Sequence, residues 1–325
     1  MIANEKTALV LGANGGVGGE IASALLKRGW TVKALVRDVG KAAARWPGKG
    51  AGPVWIAGDA MDAASVMRAA QGVAVIVHAV NPPGYRDWEK LVLPMVDNSI
   101  AAAKAVGARI VLPGTVYNFG PDAFADPVEE APQHPLTRKG AIRVEMEKRL
   151  RDASRAGASA LVLRCGDFFG PRAANNWFSQ GLVKPGKPVT SISYPGREGV
   201  GHQWAYLPDV AETVARLVER RDELEPFAVF HMEGHWDSDG TRMVEAIRRA
   251  AGNAAIKVGR FPWWALVLAS PFVTLFREMR EMRYLWTLPL RMRNDRLVKF
   301  LGSEPNTGWE QAVRTTLAGL GSLPR

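Results

Sequence analysis

Apolar residues in the first half of the chain fall in short, unbroken runs, and longer stretches of helical spacing separate them. The runs "TALVLGA" (7–13), "TVKALVR" (31–37), "VWIAGD" (54–59), "VAVIVHAV" (73–80), "RIVLPG" (109–114) and "SALVLRCG" (159–166) read as strands. Between them, "GGEIASALLKRG" (18–29), "LVLPMVDNSIAAAKAVGA" (91–108) and "IRVEMEKRLRDASRAG" (142–157) place apolar positions three and four apart, which predicts helices. Strands that are continuously apolar, rather than alternating, are buried on both faces and belong to a parallel sheet. The pattern therefore predicts an α/β, doubly wound parallel-sheet Rossmann fold.

After Gly166 the pattern changes. A Gly/Pro-rich stretch (170–201) precedes a helix at 207–220 and a strand, "FAVFHME" (227–233), and the remainder is mostly helical and rich in Trp, Met and Arg. The expected organisation is a nucleotide-binding domain over 1–170, completed by about 202–233. Residues 171–201 and 234–325 then form a smaller, mostly helical substrate-binding cap. The longest apolar stretch, "FPWWALVLASPFVTLF" (261–276), is broken by Pro262 and Pro271 and is too short for a span, so it predicts a buried or interfacial helix.

Composition changes this picture little. Hydrophobic residues at 47% and charged residues at 23% are ordinary for a folded chain of 325 residues. The formal charge of +10 suits an anionic partner, but the basic residues are mostly scattered, which argues against nucleic acid. One cysteine, Cys165, allows no intrachain disulfide, and the amino-terminal run reads as a first strand rather than a leader. The expectation is a cytoplasmic protein without an integral membrane segment. His231 and His235 are four apart, but their segment crosses a strand end and a turn, so no metal site is expected.

The segment "LVLGANGGVGGEIASALL" sets Gly12, Gly15 and Gly18 between a strand and a helix. The first permits a tight turn, the second lets backbone N–H groups approach a pyrophosphate, and the third allows close packing of helix on strand. The helix N-terminus then faces the anion. The second strand ends in "ALVRD", with Val36 where an acid would accept from a ribose hydroxyl and Arg37 next to it. Arg37 can pair with a 2′-phosphate, which favours NADP over NAD, although Asp38 could reach the ribose instead.

With this spacing the chain resembles the short-chain dehydrogenase/reductase superfamily, in the extended and atypical branches that include nucleotide-sugar epimerases. The resemblance spans about residues 7–233 and runs in order through "GANGGVG", "GDAMD" (58–62), "HAVN" (78–81), "LRCGDFFGP" (163–171) and "HQWAYLPDVAETVARLV" (202–218). It implies a cofactor site made of Gly12, Asn14, Gly15, Gly16, Val17 and Gly18, with Asp59 and Ala60 at the adenine. His78, Ala79 and Val80 would lie at the ribose. Lys139, Cys165 and Phe168 would lie toward the nicotinamide, Cys165 standing where the family has proline. Asn81, Tyr85, Arg172, Asn175, Asn176, Trp177 and Trp204 are the implied substrate residues. A small-molecule substrate and a homodimer are further implications.

In that family a Ser or Thr orients the substrate, a Tyr exchanges the proton, and a Lys follows four residues later. Thr115 stands five positions before Gly120, as the hydroxyl residue would. The tyrosine position falls on Lys139 and the lysine position on Arg143, in "PLTRKGAIRVEMEKRL"; the only phenol nearby is Tyr117. The Lys-x-x-x-Arg pattern resembles the isoflavone reductase and pinoresinol–lariciresinol reductase group, which implies that Lys139 handles the proton. Burial beside Arg143 would disfavour the charged amine, the direction a proton-handling lysine needs. An aromatic-rich cap suggests an apolar or aromatic substrate. The expectation is an NADP-dependent oxidoreductase; the alternatives are an epimerase or dehydratase on the same scaffold and a non-catalytic NADP-binding sensor resembling the NmrA-like regulators. A membrane-surface role for the aromatic and arginine-rich C-terminal segment is a further reading.

Overall fold

The computed structural model describes residues 6–48, 50–82, 87–124, 127–172, 176–270 and 274–323. The first half alternates as the patterning predicts: β1 (Thr7–Leu11), α1 (Gly16–Lys27), β2 (Thr31–Val36), α2 (Val39–Arg45), β3 (Val54–Ala57), α3 (Ala63–Ala69), β4 (Val75–His78), α4 (Trp88–Val106), β5 (Arg109–Thr115), α5 (Arg138–Arg155) and β6 (Ser159–Cys165). The chain continues through β7 (Asp167–Phe169), β8 (Ser191–Tyr194), β9 (His202–Tyr206), α6 (Leu207–Glu219), β10 (Phe227–His231), β11 (His235–Asp237), α7 (Thr241–Ala250) and β12 (Lys257–Arg260). Four helices complete it: α8 (Trp263–Ala269), α9 (Thr274–Glu281), α10 (Asp295–Leu301) and α11 (Trp309–Gly319).

Seven parallel strands form the main sheet in the order β10-β6-β5-β4-β1-β2-β3. Alternate residues of β1 explain why its run is apolar throughout. Ala8 and Val10 pack with Ile21 and Leu25 of α1 and Val210 and Val214 of α6 on one face. Leu9 and Leu11 pack with Val66, Val96, Ile142 and Met146 from α3, α4 and α5 on the other. The strand order reverses between β1 and β4, and a cleft at the carboxyl ends of such strands is where this architecture holds ligands.

A third apolar cluster lies beyond that edge, built from Phe169, Phe178, Trp204, Trp286, Met243, Ile247, Val313 and Leu317. Two small sheets frame it, β11-β9-β7 and β12-β8. The Gly/Pro-rich stretch therefore carries a strand, β8, that its composition does not announce; four residues are too few to show a period. Among the described residues, no helix is long and apolar enough to cross a membrane, and no group of three or more His, Cys, Asp or Glu could hold a metal.

Candidate functional site

A cleft of about 820 Å³ runs along the carboxyl ends of the central strands. Its floor is the turn after β1. Gly12 has φ +89°, and a Cβ there would stand 2.4 Å from the Ala79 carbonyl oxygen. A Cβ on Gly18 would stand 2.3 Å from the Gly12 carbonyl oxygen, so this glycine sits in the joint between helix and strand rather than on the cleft wall. Gly15 caps α1 without a side-chain acceptor, and the first turn of α1 contains no acid. Its N–H groups are thus available to an anion, and Gly12, Asn14, Gly15, Gly16 and Val17 all line the cleft.

At the β2 end, Arg37 lines the cleft and Arg45, from α2, lines it too. Asp38 is engaged otherwise. It caps α2, its carboxylate accepting from Lys41 N at 2.9 Å, and it is not among the described lining residues. Asp59 and Ala60 line the adjoining wall, Asp59 Oδ1 accepting from Met61 N at 3.0 Å.

The β4 end brings His78, Ala79, Val80 and Asn81 to the cleft. His78 Nδ1 lies 2.8 Å from the Ser99 hydroxyl, which itself donates to the Met95 carbonyl at 3.2 Å. A hydroxyl whose proton is committed accepts from the ring, so Nδ1 carries the hydrogen and Nε2 is left a bare acceptor without a protein partner. Burial, and then the positive charge of Arg143, push this histidine down to about 3. Asn81 accepts from Trp88 Nε1, and the Arg143 guanidinium lies 5.4 Å from the Trp88 ring centre.

Helix α5 supplies the next wall. Thr137 caps it, accepting from Gly140 N at 3.0 Å, so the helix starts immediately before Lys139. A Cβ on Gly140 would fall 2.3 Å from the Tyr117 carbonyl oxygen, and this glycine lets the helix end press against the segment that follows β5. Lys139 and Arg143 line the cleft beside Thr115 and Tyr117, and Lys139 is only 4% exposed. Glu147 continues the same stripe four residues further on. It forms a bidentate pair with Arg164 of β6, at 3.0 and 2.7 Å, and accepts from Asn118 Nδ2 at 2.9 Å. Arg164 also donates to the Glu129 carbonyl at 3.0 Å. This buried network fastens α5 against the segment after Thr115.

Tyr117 donates to Asp167 Oδ1 at 3.2 Å, and the other carboxylate oxygen lies 2.9 Å from His202 Nε2. The far wall is Phe168, Asn176, Trp177, Gln180, Met279 and Met282.

Besides Gly18, three expected residues lie elsewhere among the described residues. Cys165 is fully buried in β6, where burial pushes its thiol well above the ordinary range. Arg172 reaches back to α1, donating to the Gly19 carbonyl at 2.9 Å and Ser23 Oγ at 3.0 Å, with its guanidinium over Trp46. Trp204 is wholly buried in the C-terminal cluster, edge-on to Phe169 and Trp286. Tyr85 and Asn175 lie outside the described residues. Sequence reasoning missed Arg45, Asp167, Gln180, Met279 and Met282. Asp167 stands within the motif segment 163–171, but nothing local to Met279 or Met282 connects them to a site built more than a hundred residues earlier.

Residues 12–157 match the family model described as NAD(P)H-binding. No curated protein matches the chain by sequence. Solved structures match along nearly its whole length. UDP-glucuronic acid 4-epimerase from Bacillus cereus, in complex with UDP-glucuronic acid and NAD, superposes with a TM-score of 0.74 at 13% identity, covering 97% of this chain and 98% of that one. UDP-N-acetylglucosamine 4-epimerase from Bacillus cereus gives 0.71 at 14% identity, covering 98% of each. The Bordetella bronchiseptica enzyme WbmH in complex with NAD+ gives 0.68 at 16%, covering 97% and 98%. Residues 12–157 thus match an NAD(P)H-binding family model, and the chain shares the Rossmann fold of these solved structures along nearly its whole length.

Proposed function

We propose that the protein is an NADP-dependent reductase of a small apolar or aromatic substrate, with Lys139 handling the proton and Thr115 orienting the reacting oxygen. The observation that carries this reading is the shared cleft: Thr115, Lys139 and Arg143 line the same cavity as the glycine turn. The cradle suits a dinucleotide. The Gly12 turn packs so closely on the end of β4 that a Cβ would strike the Ala79 carbonyl, and the uncapped start of α1 offers N–H donors to a pyrophosphate. The cofactor, when bound, supplies the hydride.

The chain's residues do the rest. The Thr115 hydroxyl donates to the substrate oxygen, and Lys139 Nζ delivers a proton to that oxygen as charge develops on it. Arg143, held near Trp88, adds a fixed positive charge to the same wall. Arg37 and Arg45 support the choice of NADP, because two guanidiniums face the cleft at the β2 end and the neighbouring Asp38 is occupied as a helix cap. Phe168, Trp177, Met279 and Met282 support an apolar substrate and exclude water from that end.

A second reading, an epimerase or dehydratase acting on a nucleotide sugar, draws on the solved structures with UDP sugars. Against it, the cations among the described lining residues are Arg37, Arg45, Lys139 and Arg143, and the Met279–Trp177 end has none for a second diphosphate.

Turnover of NADPH with a panel of aromatic and alkyl carbonyls and enones tests the proposal. Lys139→Met should lower kcat by about 10²–10⁴ while NADPH affinity stays nearly intact. Arg37→Ala and Arg45→Ala should each weaken NADPH by about tenfold or more and leave NADH little changed. Unchanged turnover in the lysine variant removes Lys139 from the mechanism. Binding without turnover on the whole panel favours a sensor, and an unaltered NADPH preference removes the phosphate assignment.

A further inference from the structure

Helix α8 is apolar on every side: Trp263, Trp264, Ala265, Leu266, Val267, Leu268 and Ala269 include no polar residue. A helix of that composition is normally enclosed. Here only one face is. Trp263 donates from Nε1 to the Pro195 carbonyl at 2.9 Å and packs on Trp177 and Phe261, and Leu266 and Ser270 are buried behind it. The opposite face is bare, with Trp264 71%, Leu268 69% and Val267 43% exposed. Spaced three and four apart, these side chains form one apolar patch of roughly 300–400 Å².

Arginines bracket the patch at both ends. Arg283 lies with its guanidinium 5.5 Å from the Trp263 ring centre, and exposed Arg260 precedes the helix. Arg280 donates to Ser270 Oγ at 3.2 Å, at the C-terminal cap of α8. Glu281, next to Arg280 along the chain, is partly buried. We infer that this face docks on an anionic phospholipid surface.

The chemistry favours lipid over a protein partner. Stable protein interfaces bury about 800 Å² on each side, and this patch is at most about half of that. A tryptophan and two aliphatic side chains flanked by guanidiniums match the interfacial zone of a bilayer, where the apolar groups enter the acyl boundary and the arginines meet phosphates. Each arginine held at an anionic surface strengthens binding by about fivefold at moderate salt. The docked helix would stand one aromatic contact from the cleft, because Trp177 touches Trp263 and lines the cavity. A substrate dissolved in the bilayer surface would then enter near Met279 and Met282.

Co-sedimentation of the full chain with vesicles of phosphatidylcholine alone, and of phosphatidylcholine with phosphatidylglycerol, tests this. The protein should pellet with the anionic vesicles, release as salt rises, and bind phosphatidylcholine at least tenfold more weakly. Trp264→Ser with Leu268→Ser should lower anionic-vesicle binding more than tenfold; both side chains point to solvent, so thermal unfolding and NADPH affinity should stay unchanged. Arg280→Gln should lower binding about fivefold. Wild-type protein that stays in the supernatant overturns the inference, as does equal binding to both vesicle types. A concentration-dependent dimer that the double variant dissociates would assign the patch to a second copy instead.

Discussion

Replacing Glu147 with alanine should cost the fold about 4–6 kcal/mol. Arg164 is wholly buried and places two of its N–H groups on this one carboxylate. Deleting one partner of such a pair strands the other as an uncompensated charge, at about 3–5 kcal/mol. The buried Asn118 amide also loses an acceptor, worth about 1 kcal/mol. Glu147→Gln keeps the shape and one acceptor oxygen and should cost roughly half as much. Removing both charges, with Glu147→Leu and Arg164→Met, should cost clearly less than the two single changes summed, because no orphaned ion remains. Urea unfolding followed by far-ultraviolet circular dichroism and tryptophan fluorescence measures each variant, and coincident transitions license the comparison. A cost below about 1 kcal/mol for Glu147→Ala, or strict additivity in the double variant, would refute the view that this pair fastens α5.

Two further outcomes follow from the same geometry. Gly18→Ala brings a Cβ to 2.3 Å from backbone at Gly12, so NAD(P)H binding should be lost and stability reduced by about 2 kcal/mol or more; near-native affinity by fluorescence titration would contradict this. His78 and His231 both titrate at about 3 in the fold, against about 6.5 in an unfolded chain. The unfolded chain therefore takes up more protons below about pH 6.5, and stability should fall with falling pH, approaching about 1.4 kcal/mol per pH unit for each ring. His78→Asn, which can still donate to Ser99, should make the fall between pH 6.5 and 4.5 shallower in urea titrations; an unchanged slope would show that His78 does not drive it.

The sheet was legible because burial on both faces leaves an unbroken apolar run in its inner strands, and the apolar run of β3, partly exposed at the edge, pairs on beside them. The glycine turn was legible for a related reason: Gly12 and Gly18 occupy places that no other residue fits. Chain neighbours of a motif were legible too, which is why Thr115, Lys139 and Arg143 were candidates before any fold was known. What stayed hidden depended on packing between distant segments. Arg45 reaches the cleft only because α2 lies against the β2 end, and Met279 and Met282 only because the C-terminal helices fold back over the sheet edge. Arg172 and Trp204 show the converse. Their types and positions suit a substrate pocket, but one braces α1 and the other fills a core.

The stripe Lys139–Arg143–Glu147 joins two unlike roles on a single helix face. Its upper end faces the cavity, and its foot is fixed to Arg164. If Lys139 handles the proton as proposed, a lineage could therefore silence or exchange that chemistry by altering position 139 while the rest of the molecule goes on folding. A change at 147 has no such freedom. The architecture thus makes loss of turnover an easy evolutionary step and loss of the scaffold a hard one, which is the condition under which an enzyme can become a gauge of cellular redox state.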